Sequence, residues 1–159
     1  MRILAAMVLG AMVMTGCAGP TESAQPVADG ENGTQAGTDG ALAAPVEAGV
    51  GLVIGAAQAG QIVDVEVGRR FAVALVGVPT AGYVWSPLAA PDFLSRAGEG
   101  GGPTTAAQNQ PGFTGGSHWE ILYFVATGPG EGQLVVEQRR PWETTEPAAD
   151  SFAVTIRAR

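Results

Sequence analysis

RRFAVALVGVPTAGYVW, residues 69–85, is the stretch whose reading decides the fold. Phe71, Val73 and Leu75 fall two residues apart, so they share one face of an extended chain. A period of two is that of a strand; a helix would repeat its apolar positions every three or four residues. The run then breaks at Val78–Pro79. Proline fixes φ, and Gly82, three residues on, can take the positive φ that other residues avoid. Two aromatics, Tyr83 and Trp85, start the next apolar run. The stretch predicts a strand, a stiffened turn and a second strand, the turn being either a plain connection or a loop presented to a partner.

The same period recurs on both sides. In QIVDVEV (61–67), Val63, Val65 and Val67 face one way, and Ile62, Asp64 and Glu66 the other. HWEILYFVA (118–126) and GQLVVEQR (132–139) are further strand-like runs, separated by TGPGE. DSFAVTIRAR (150–159) closes the chain with Phe152, Val154 and Ile156 in register. Short alternating runs cut by Gly and Pro predict an all-β sandwich or barrel. WSPLAAPDFLSRAG (85–98) holds a short turn of helix at most. The domain is placed at residues 50–159, about 110 residues, enough for a core without disulfides.

The inventory of side chains excludes several functions. The chain has 159 residues and a net charge of −7, and its eight basic residues include no lysine. Phosphate recognition needs clustered cations, so nucleic acid is not a partner. One Cys and one His provide neither a disulfide nor the donor set of a zinc site. No metal and no cofactor are expected. An enzyme is disfavoured as well: His118 has no thiol or paired acid placed near it by any motif.

The amino terminus carries an address. Residues 1–16 have one Arg, then an apolar run, then small residues, the pattern of a cleavable export signal. The run is shorter than the ~20 apolar residues a membrane-spanning helix needs. MTGC (14–17) resembles a bacterial lipobox, which makes Cys17 the expected lipidation site. The protein is then exported and lipid-anchored to the cell envelope, at the outer membrane if the host has two. Residues 17–49 follow as lipidated Cys and disordered tether: Gly, Ala, Pro, Thr and acids, with no aromatic and no base. Such a composition buries too little apolar surface to offset its entropy. Its reach is on the order of 30 Å.

Three short motifs remain: VPTAGYVW (78–85), GFTGGSHW (112–119) and RRPWE (139–143). In this order, on an all-β pattern, they resemble the loops of the chagasin-type inhibitors of papain-like cysteine peptidases. The resemblance covers roughly residues 52–159. It implies an immunoglobulin-like β-sandwich whose three loops lie at one end and fill the cleft of a papain-like peptidase, reversibly and competitively. By that resemblance the peptidase-binding residues are Pro79, Thr80, Ala81, Gly82, Tyr83, Gly115, Gly116, Arg140, Pro141 and Trp142. Thr80 would approach the enzyme's catalytic pair, Tyr83 would buttress its loop, Gly115 and Gly116 would admit the enzyme's backbone, and Trp142 would stack on it with Arg140 alongside. Val78 and Ala81 depart from the Asn and Thr usual in the family, and Phe113 takes the place of a glycine.

The departures keep open an alternative, a non-inhibitory immunoglobulin-like binding or adhesion lipoprotein. A plain Gly-rich linker is the bland reading of GEGGGPTTAAQNQPGFTGG (98–116). The inhibitor reading expects a monomer whose three loops converge.

Overall fold

The computed structural model describes residues 40–143 and 145–159. The signal at 1–16, Cys17 and most of the expected tether lie outside them. Among the described residues, eight strands form two sheets, with short 3-10 turns and no α-helix. They are β1 (Leu52–Ile54), β2 (Ile62–Val65), β3 (Arg70–Gly77), β4 (Val84–Ala89), β5 (Leu94–Pro103), β6 (His118–Ala126), β7 (Gly130–Arg139) and β8 (Asp150–Ala158). One sheet runs β1-β3-β6-β5 and the other β2-β8-β7-β4. The first and second strands join their sheets in parallel; every other pairing is antiparallel. The periodicity predicts an all-β sandwich or barrel, and the structure is a sandwich, consistent with the immunoglobulin-like form that the family resemblance implies.

The core sits between the sheets, where the alternation places it. Phe71, Val73, Leu75, Leu122 and Phe124 come from one sheet, and Trp85, Leu134, Val136, Phe152, Val154 and Ile156 from the other. Phe71 and Phe124 stack with ring centroids 5.7 Å apart. Trp85 is buried, and its indole N–H donates to the Val76 carbonyl (3.0 Å). A buried indole usually needs such an acceptor.

WSPLAAPDFLSRAG, expected to hold a short turn of helix at most, contains no helix: β4 ends at Ala89 and β5 begins at Leu94. The Gly-rich stretch that follows is not a plain linker, since Gly98 to Pro103 continue β5 in register with Tyr123 to His118. Glycines carry this strand because β6 and the segment ahead of β1 leave no room beside it. A Cβ on Gly100 would lie 3.1 Å from the Tyr123 hydroxyl, and one on Gly102 would lie 2.7 Å from the Pro45 ring.

The tether expected over 17–49 also stops earlier, because residues 40–50 lie along the outer face of the first sheet. Ala44, Val46 and Val50 cover Ala72, Ala74, Ile121 and Tyr123, an apolar patch that water would otherwise meet. Arg70 lies over the Tyr123 ring at 4.7 Å and pairs with Glu47 at 2.9 Å.

Candidate functional site

Strand register gathers three loops at one end. Gly77, which ends β3, sits opposite His118, which starts β6, and Pro103, which ends β5, pairs with the same His118. On the other sheet, Val84 at the start of β4 pairs with Arg139 at the end of β7, and Asp150 at the start of β8 pairs with Gln138. The first loop (78–83), second (104–117) and third (140–149) therefore leave from the same end of the sandwich.

The first loop is a single tight turn. Pro79–Ala81 form a 3-10 turn that Gly82 ends at φ +83°, its N–H donating to the Pro79 carbonyl (2.9 Å). A bridge between Val78 and Tyr83 closes the neck. Thr80 is exposed at the tip and Tyr83 is half-buried beneath it. Gly82 is required twice over: its backbone is left-handed, and a Cβ there would come within 2.9 Å of Cζ2 of Trp142.

The third loop is fastened to the first. The Arg140 Nε donates to the Ala81 carbonyl (2.9 Å), its guanidinium lies 4.5 Å over the Tyr83 ring, and its Nη1 donates to Glu143 (2.9 Å). Two of the Arg140 donors are thus engaged within the protein, while its guanidinium stays partly exposed next to Trp142. It positions the first loop. Trp142 stands out at 68% exposure, with Pro141 exposed before it.

The second loop is built around Gln108. Its amide oxygen accepts from the N–H groups of Thr104 (2.6 Å) and Thr105 (2.9 Å), and its amide nitrogen donates to the Ser117 carbonyl (2.7 Å). Gly115 and Gly116 are both left-handed, at φ +81° and +90°, and a Cβ on Gly115 would meet nothing within 4 Å. That open approach is what close contact with a partner's backbone needs. Trp119 belongs to the scaffold, not the loop: its indole donates to the Leu42 carbonyl (2.9 Å).

A polar layer lies between these loops and the core. One Glu120 oxygen accepts from the Trp85 N–H (2.8 Å), while the other is buried beside Gly77 without a partner among the described residues. His118, at the head of β6, likewise buries Nδ1 unpaired. Burial holds the Glu120 carboxyl above the usual carboxylate range, against the pull of the Trp85 N–H. A carboxyl whose pKa is raised on folding binds its proton more tightly in the folded state. It therefore destabilises the fold as pH rises through and past the ordinary carboxylate range. Glu120→Gln removes that titration. Its melting temperature relative to the parent is expected to climb as pH rises through and above the ordinary carboxylate range and to level off at higher pH. A difference that stays flat with pH would contradict the assignment.

Each loop also offers one large apolar side chain to solvent: Val78 (41%), Phe113 (46%) and Trp142 (68%). Phe113 was not among the residues expected from sequence. Its signal was there in PGFTGG, an aromatic flanked by Gly and Pro outside any alternating run, which leaves it no core position. Of the expected residues, the first and third loops bring Pro79 to Tyr83 together with Arg140 to Trp142, and Gly115 and Gly116 crown the second loop at the same end. Among the described residues no group of His, Cys, Asp and Glu is placed to hold a metal ion.

The fold has close counterparts. A cysteine protease inhibitor of Entamoeba histolytica, EhICP2, superposes with a TM-score of 0.58 at 15% identity, over 68% of this chain and 96% of that one. Amebosin superposes with a TM-score of 0.54 at 23% identity, over 68% of this chain and 97% of that one. No curated protein sequence matches the chain. Residues 64–156, which hold all three loops and seven of the eight strands in whole or part, match the sequence profile of the chagasin family peptidase inhibitors. The chain belongs to the chagasin family of peptidase inhibitors, and it is an inhibitor rather than an enzyme.

Proposed function

We propose that this protein inhibits papain-like cysteine peptidases by seating its three loops in the active-site cleft, reversibly and in competition with substrate. One observation carries the reading: three loops at one end of a rigid sandwich, each presenting an apolar side chain. Surface hydrophobes gathered in this way mark contact sites. Stiffness adds to it, since Pro79, Gly82 and the Arg140 bonds hold the first loop in one shape and reduce the entropy lost on binding. Trp and Arg are the residue types most frequent at binding hot spots. Here Trp142 faces outward, and Arg140 acts through the loop it holds.

No covalent step is involved. Thr80, exposed at the tip, would approach the enzyme's catalytic groups, and Gly115–Gly116 would let the enzyme's backbone run close alongside. The test is a titration of papain with the full protein in detergent, at several concentrations of a fluorogenic peptide. The inhibition constant should be micromolar or tighter, and inhibition should be relieved by substrate. Inhibition that substrate does not relieve would place the contact outside the cleft.

The sequence of residues 1–17 supports export and lipid anchoring at Cys17. Mass spectrometry of the same preparation checks this by the acyl mass on Cys17.

A further inference from the structure

Residues 40–50 lie upstream of residues 64–156, the part that matches the family. They run from the binding end to the far end of the first sheet. At the binding end they grip both roots of the second loop. The Ala106 N–H donates to the Gly40 carbonyl (2.6 Å), the Leu42 N–H donates to the Thr104 carbonyl (2.8 Å), and the Trp119 indole donates to the Leu42 carbonyl (2.9 Å). Thr104 and Ala106 open the loop, and Trp119 follows its close. At the far end the Glu47 N–H donates to the Tyr123 hydroxyl (3.0 Å), and the Gly51 N–H donates to the Arg70 carbonyl (2.9 Å).

The three loops are not braced alike. The first and third hold each other through Arg140, Tyr83, Gly82 and Trp142. Among the described residues, the hydrogen bonds of the second loop are made within itself, with its own strand neighbours and with residues 40–42. None reaches the first or third loop. Gln108 closes the loop on itself, and its placement relative to the sheet falls to the two strand ends and the arm.

We infer that residues 40–50 are a positioning arm for the second loop, and that the share of peptidase affinity carried by Gly115 and Gly116 depends on it. The inference rests on the three loops being the peptidase-binding end. The arm touches no enzyme; it acts by fixing where the second loop sits. Its grip is local, so a lesson from one end of the arm need not hold at the other.

The deciding variant is Leu42→Pro in the full chain, which deletes the N–H that bonds Thr104 and leaves every loop residue intact. Loss of one such bond should raise the inhibition constant about fivefold to tenfold. Glu47→Gln, which breaks the exposed pair with Arg70 at the far end, should change it by less than about twofold. In a Gly116→Arg background, where the second loop is already blocked, Leu42→Pro should add nothing. In a Trp142→Ala background it should keep its full effect. A general loss of stability would act equally in both, and an equal effect in both overturns the inference, as does an unchanged inhibition constant. Where Leu42→Pro does not fold, Gly40→Ala strains the same end at φ +61° and takes its place. Hydrogen exchange separates this inference from the functional reading. If the parent protein inhibits no papain-like peptidase, the functional reading fails and exchange decides the arm alone. Faster exchange at Thr104, Thr105, Ala106 and Gln108, with residues 78–83 unchanged, supports it; no change there overturns it.

Discussion

Gly82→Val should abolish inhibition, raising the inhibition constant by about 100-fold or more, while the protein stays folded. Two effects meet at this position. A β-branched residue at φ +83° costs about 1–3 kcal/mol of backbone strain. The new side chain would also occupy the space of the Trp142 ring, which lies 2.9 Å from the Cβ position at Cζ2 and closer still at Cη2. The first loop must distort or the third must swing away, and either outcome separates surfaces that have to enter one cleft together. Trp142→Ala removes a single anchor, worth about 2 kcal/mol or roughly 30-fold. Gly82→Val displaces two. Gly68→Val is the control: it carries similar strain, at φ +80°, in a turn at the opposite end where a Cβ would meet nothing within 4 Å. It should lower the melting temperature to a similar degree and leave inhibition intact. Equal inhibition by Gly82→Val and the parent would show that the two loops do not act as one surface.

Trp85→Ala should bring the largest loss of stability of any single substitution near the loops, about 3–5 kcal/mol. For a domain of this size that lowers the melting temperature by on the order of 15 °C or more. The ring closes the top of the core between the sheets. Its removal leaves a cavity, strips the Val76 carbonyl of its indole donor and loosens the start of β4 just past the first loop. Trp85→Phe keeps most of the burial and loses the donor, so it should cost about 1–2 kcal/mol more than nothing and far less than alanine. A thermal melt of the two variants is sufficient. A drop of less than about 5 °C for Trp85→Ala would mean that the neighbouring side chains collapse into the space.

The core was legible from residue order alone, because Phe71, Val73 and Leu75, and later Phe152, Val154 and Ile156, state their shared face by spacing of two. The loops were legible through Pro79, Gly82 and the Arg140-Pro141-Trp142 run, residues whose conformations or exposure are narrowly restricted. β5 was hidden for the opposite reason. Its glycines have no side chains with which to alternate, and the cause of their presence, the bulk of Tyr123 and Pro45, lies elsewhere in the chain. The arm was hidden in a segment whose composition matches a tether. Its signal was the weak alternation Leu42, Ala44, Val46, half-buried residues separated by exposed ones. The inward turn of Arg140 depends on where Ala81 and Tyr83 fall in space, and no spacing along the sequence reports that.

The path of the arm also sets how the molecule can be held. Gly40 joins the domain beside the second loop, whereas Ala158 pairs with Gly130 at the opposite end of the sandwich. A support or label attached through the carboxyl terminus leaves the loops facing outward. One attached upstream of Gly40 shares their side with the incoming enzyme.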